Sequence, residues 1–144
     1  MASPAHVLSE ALKRPIANGG LLYTQPLFVG TVPDQPENLL VIYNTSPVLN
    51  GRLHKTGRSV IKPGIQVYAR ATKTTSMAAS EVAFARLQMI QTWMDGVRQL
   101  IVPVGGESYK IHAIRQASGI VAVGLTEKNT YESTLNVVLS LTKE

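Results

Sequence analysis

The stretch GIQVYARATKTTSMAASEVAFARLQMIQTWMDGV, residues 64–97, changes its period halfway. Over 64–71, Ile65, Val67, Ala69 and Ala71 alternate with Gln66, Tyr68 and Arg70, so the first set faces inward and the second outward on a strand. From about Ser76 to Val97 the period lengthens to that of a helix. Ala79, Val82, Ala83, Met89, Ile90, Trp93 and Val97 gather on one face, and Ser80, Glu81, Gln88, Gln91, Thr92 and Asp95 on the other. Thr74, Thr75 and Ser76 are cap candidates. Arg86 interrupts the apolar face. It must either snorkel to the edge or find a carboxylate or carbonyls, because an unpaired buried guanidinium is costly. Met77 and Phe84 lie one heptad apart on the polar face. They are either isolated surface apolars or, with neutral Gln88 and Gln91 beside them, a subunit contact.

Upstream, LLVIYNTS at 39–46 is apolar on both faces, which predicts a strand buried on both sides and placed centrally in a sheet. Between these strands, residues 46–63 read as a long basic loop with Gly51, Gly57 and Pro63. Residues 21–38 mix apolar pairs with prolines and predict an extended segment rather than a central strand. Near the N-terminus Ser3 caps, Pro4 fits the first turn, and Val7, Leu8, Ala11 and Leu12 line one face of a short helix. Its spaced apolar positions and Glu10 do not make a signal peptide. Downstream come strand-like QLIVPVG, a GGES turn, YKIHAIRQ, GIVAVGL and STLNVVLSL. In the last of these Leu135, Val137, Leu139 and Leu141 share a face.

This order predicts an α+β fold: a mainly antiparallel sheet of four to five strands flanked by an N-terminal helix and one long helix. The core strands are expected at 39–45, 64–71, 110–116 and 133–141, with the helix packing through Val82, Met89, Ile90 and Trp93. The 144 residues suit one domain over 1–144. With 44% hydrophobic and 16% charged residues the chain should fold. No window approaches the roughly 18 apolar residues that span a bilayer.

Catalytic patterns are missing. With no cysteine, thiol chemistry and disulfides are excluded. His6, His54 and His112 have no ligand spacing, and the nine acids form no helical carboxylate pair. Neither a phosphate-binding glycine fingerprint nor a G-x-S-x-G elbow occurs. No cofactor and no enzyme activity are expected. The notable feature is charge. Arg52, Lys55, Arg58, Lys62, Arg70 and Lys73 lie in a stretch where nothing between Glu37 and Glu81 is acidic, in a chain of net charge +5. Three readings stay open: a solvated loop, weak phosphate contact, and a surface that packs on an acidic neighbouring subunit. Tyr68 is the only aromatic between 44 and 75, which is sparse for a base-stacking surface.

The words DQPENLLVIYNT, TGRSVIKPGIQVYAR and SMAASEVAFARLQMIQTWM, with the closing STLNVVLSL, resemble the tail terminator and minor capsid (tail completion) proteins of tailed bacteriophages. The likeness runs over about residues 5–142, and its specific words lie in 34–71. Where such relatives often carry Asp after the VIY strand, this chain has Asn44. The resemblance implies a non-enzymatic virion protein whose hexameric ring caps the tail tube, stops its polymerisation and offers a surface to the head-completion or connector protein. It implies location in the tail and neck of the virion, and in the host cytoplasm during assembly. DNA would pass through the channel without sequence-specific binding. On this reading Arg52, Lys55, Arg58 and Lys62 face a neighbour or the last tube ring, and Met77 and Phe84 touch the adjacent subunit. The alternatives are another neck or tail component, such as a head-completion or tube protein, and a small nucleic-acid-binding adaptor.

Overall fold

The computed structural model describes residues 2–52, 59–126 and 129–144, apart from the side chains of 46–52 and 59. The chain runs through α1 (Pro4–Lys13), a 3-10 turn (Ile16–Asn18), β1 (Leu27–Val29), β2 (Leu39–Arg52), β3 (Ser59–Ala71) and α2 (Ala79–Asp95). It then forms β4 (Leu100–Val104), β5 (Glu107–Gln116), β6 (Val121–Leu125) and β7 (Tyr131–Lys143). The class is α+β. The sheet has seven strands rather than four to five, and it is mixed: β1 runs parallel to β2, whereas every other pairing is antiparallel.

The order is β1-β2-β3-β7-β5-β4, with β6 also paired to β7. β7 is therefore shared. Its 137–143 part bonds to β5, its 131–134 part bonds to β6, and β3 lies along the opposite edge. Both helices pack on one face. There Leu8, Leu12, Leu87, Ile90 and Met94 meet Ile42, Ile65, Val67, Leu135, Val137 and Leu139 in one cluster.

Helix α1 forms as its sequence predicts. Ser3 Oγ accepts from His6 N at 3.2 Å, Pro4 opens the first turn, and Val7, Leu8, Ala11 and Leu12 are buried. A second cap comes from the sheet, because Asn44 Oδ1 accepts from Ala5 N at 2.8 Å. Position 44 thus holds a neutral amide that fixes the helix start to the middle of β2.

Several expectations need correction. Residues 46–63 are not a loop over their whole length: β2 continues to Arg52 and β3 begins at Ser59. The prolines are tolerated where the ladders break. Pro47 stands opposite Pro63 between two register shifts, and the β3–β7 pairing skips Lys62 and Pro63. β2 lies next to the edge strand β1 and is not central, although Leu39, Leu40, Val41 and Ile42 are all buried. Tyr68 is not outward in solvent. It is buried with Leu39 and Val41 on the sheet's second face, under Phe28 and Tyr43, and its hydroxyl donates to Glu132. Helix α2 starts at Ala79, not Ser76. Its N-cap, Ala78, has no side-chain bond, and Thr74 Oγ1 instead accepts from Met77 N at 3.0 Å in the turn before it. Met89 is exposed, whereas Leu87 and Met94 take the core positions. The buried face is turned by tens of degrees from the expected one, because packing against the sheet sets it rather than the apolar pattern alone.

Two predictions follow from these contacts. Asn44→Ala removes the acceptor for an orphan helix N–H and should cost about 1 kcal/mol in urea unfolding. A loss near zero would show that water replaces the cap. His112 contacts Gln99 Oε1 at 3.2 Å and Thr142 Oγ1 at 2.6 Å through its two ring nitrogens. Burial pushes its imidazole below the usual 6.5, Lys110 adds to this and Glu144 opposes it. The folded state holds this proton more weakly than the unfolded chain does. Its contribution is therefore present above about 6.5 and is lost as pH falls through the lower folded value. Urea midpoints should fall more between about pH 8 and about pH 5 in the wild type than in His112→Gln. Equal slopes would contradict this.

Candidate functional site

The acid-free stretch does not act as one cationic surface. Arg70 is engaged within the chain. Its Nη2 donates to the carbonyls of Pro33 at 2.8 Å, Asp34 at 3.1 Å and Pro36 at 2.9 Å, and its Nε donates to that of Glu37. One guanidinium thus pins the loop that leads into β2. Lys62 is half-buried near the start of β3, opposite Leu49, and Lys73 is exposed just past its end. Arg52 closes β2, but its side chain, like Lys55 and Arg58 entirely, lies outside the described residues.

The second group of predicted contact residues is better defined. Helical spacing sets Phe84, Gln88, Gln91 and Asp95 along one stripe of α2. Gln91 Nε2 donates to Gln116 Oε1 at 2.7 Å, and Gln116 Nε2 donates to Asp95 Oδ1 at 3.1 Å. These bonds tie the C-terminal half of the stripe to the end of β5. The chain then turns into β6, which runs back along β7 and touches α2. Phe84 is 48% exposed, and β6 beside it shows Val121 at 48%, Val123 at 58% and Leu125 at 64%. Met77, exposed as well, precedes the helix. At this corner Thr72, Lys73, Ala78, Ala79, Leu125 and Asn129 line a hollow of about 470 Å³. The structure therefore brings the start of α2, next to Met77, up to Leu125 of β6, a strand the sequence reading did not single out. An uncharged run such as GIVAVGL reads as a strand buried on both faces, and nothing local says whether its own chain or another covers it.

Arg86 is partly buried, and no carboxylate pairs with it among the described residues. Among the described residues its Nη1 is buried without a hydrogen-bond partner, and so is the hydroxyl of Tyr23. Burial pushes the Tyr23 phenol up, and the nearby Arg86 charge opposes that shift. The two donors leave a polar seam in the core next to α2, which costs stability.

Converging reactive groups are not found among the described residues. No cluster of three His, Cys, Asp or Glu could hold a metal. His6 lies 3.6 Å from Glu10 on α1, far from His112 on β5, and His54 lies outside the described residues. A second hollow, of about 300 Å³, is lined by Gly19, Thr92, Trp93, Gly96, Val97, Arg98 and Leu100. Arg98 is its one ionisable side chain, so a general acid–base pair has no place there. No described helix is long and apolar enough to cross a membrane.

No protein-family model matches the chain, and no curated protein matches its sequence. A solved structure aligns with 99% of this chain and 97% of its own length, at 12% identity and a TM-score of 0.47. Likeness at that level is too slight to bear on function.

Phe84 and Leu87 are neighbours one turn apart on α2, the first exposed and the second fully buried. Phe84→Asp should change urea stability by no more than about 0.5 kcal/mol while weakening self-association measured by sedimentation. Leu87→Ala should cost about 2–5 kcal/mol. If Phe84→Asp unfolds the protein instead, the side chain belongs to the core.

Proposed function

We propose that this protein is a structural virion subunit of a tailed bacteriophage, forming a hexameric ring that caps the tail tube. The ring ends tube polymerisation and presents a surface to the head-completion or connector protein. Its work is done by contact, with neighbouring copies and with the tube protein, and not by bond chemistry. The carrying observation is the set of exposed large apolar residues on α2 and β6: Phe84, with Leu125 on the helix side of the sheet and Val121 on the other. Large apolar residues left exposed on a short edge strand and the helix near it suit a surface where another protein docks. The phage-like words in 34–71 supply the class of assembly, and the basic residues Arg52, Lys55, Arg58 and Lys62 supply a second surface for a neighbour or the last tube ring. DNA passes the ring without sequence-specific recognition.

The test combines the purified protein with the matching tube protein and follows the products by native mass spectrometry and negative-stain imaging. Closed six-membered rings at the ends of tubes, with tube growth arrested, are expected. Long tubes built by this chain alone would make it a tube subunit. Tight nucleic-acid binding that falls steeply with salt, with no effect on tubes, would replace the ring by the adaptor.

A further inference from the structure

We infer that the hollow between the 3-10 turn, the last turn of α2 and the start of β4 binds a small organic carboxylate with an aromatic body. Trp93, Val97 and Leu100 give the hollow apolar walls, and Arg98 is its one charged group. Its volume of about 300 Å³ lies at the lower end for small-molecule sites. The inference goes beyond the subunit reading and stands whether or not a ring forms.

The walls are fixed before any ligand arrives. Trp93 Nε1 donates to the carbonyl of Gly19 at 3.0 Å, which ties the indole to the 3-10 turn. Gly19 has φ +83° and lies so close to Leu100 that an added Cβ would stand 2.6 Å from its Cδ1. Turn and strand therefore meet without a gap, and a glycine is needed for both reasons. The segment that carries Arg98 is held as firmly. Gln99 has φ 53°, a conformation that costs energy in a non-glycine residue. Its N–H donates to the His112 carbonyl at 3.2 Å, and its Oε1 lies 3.2 Å from His112 Nδ1. An indole and a guanidinium held in this way lose little freedom when a ligand binds, which favours affinity.

Arg98 decides the chemistry of the occupant. Its Nη1 donates to the carbonyls of Val97 at 2.6 Å and Asp95 at 3.3 Å. Its Nε and Nη2 make no hydrogen bond among the described residues. The Asp95 carboxylate, close in sequence, takes its bond from Gln116 instead. Nε and Nη2 form one edge of the guanidinium, and their parallel N–H groups match the two oxygens of a carboxylate. A phosphate would bring more charge and more oxygens than this single cation can meet. The remaining walls are apolar, and an aromatic ring beside Trp93 gains more there than an aliphatic chain does.

Trp93 is the only tryptophan, so its fluorescence reports on this hollow alone. The full chain is titrated with phenylpropionate, phenylpropionamide, acetate and inorganic phosphate, and each titration is repeated by calorimetry. Saturable binding of phenylpropionate at millimolar concentration or below is expected, and the other three should bind far more weakly. Arg98→Gln, checked for folding by circular dichroism, should weaken phenylpropionate binding about tenfold. Arg98→Lys keeps the charge without the fork and should fall between the two. It carries the comparison if Arg98→Gln does not fold. Unchanged binding in the substituted protein would overturn the inference. So would equal binding of the amide, acetate or phosphate, or no saturable signal from the wild type by either method.

Discussion

Strand β7 is hydrogen-bonded along both edges, and the rest of the fold is arranged by that fact. On its helix-facing side Leu135, Val137, Leu139 and Leu141 are at most 1% exposed. Each such side chain contributes on the order of 1.5–3 kcal/mol when fully buried. β3 takes one edge over almost the full strand, while β5 and β6 divide the other. Because β5 turns away at Gln116, the Tyr131 end of β7 is covered by a short strand that pairs with no further strand among the described residues. The exposed flank is thus a consequence of how one long strand shares its partners.

Much of this architecture is legible in the residues. The period change near 72 separates β3 from α2, the Ser3–Pro4 start defines α1, and the alternation of Leu135, Val137, Leu139 and Leu141 gives β7 its buried face. Extension of the β2–β3 hairpin was hidden because Pro47, Gly51 and Pro63 are loop residues by propensity. Only the pairing of Pro47 with Pro63 across a bulged ladder shows how the strands tolerate them. Tyr68 was hidden for another reason. Its outward position is correct for the strand, but the segment bearing Phe28 covers that face, and such cover is a long-range event.

The candidate site was half legible. Met77 and Phe84 stand out as apolar residues on a polar helix face. β6 does not stand out, since Val121, Val123 and Leu125 look like any core strand until the neighbours of β7 are known. Arg70 shows the converse error: a cation in a basic run is engaged by four backbone carbonyls and is not offered to a partner. Cation count thus overstates the basic surface. Apolar pattern understates the exposed apolar one.

The proposed function therefore rests on a surface that the single chain leaves uncovered. Amide hydrogen exchange across residues 121–125 reads this directly, in dilute protein and in the assembled particle. Slowed exchange over 121–125 on assembly is the predicted result. Exchange that stays as fast in the particle as in the free chain would contradict it.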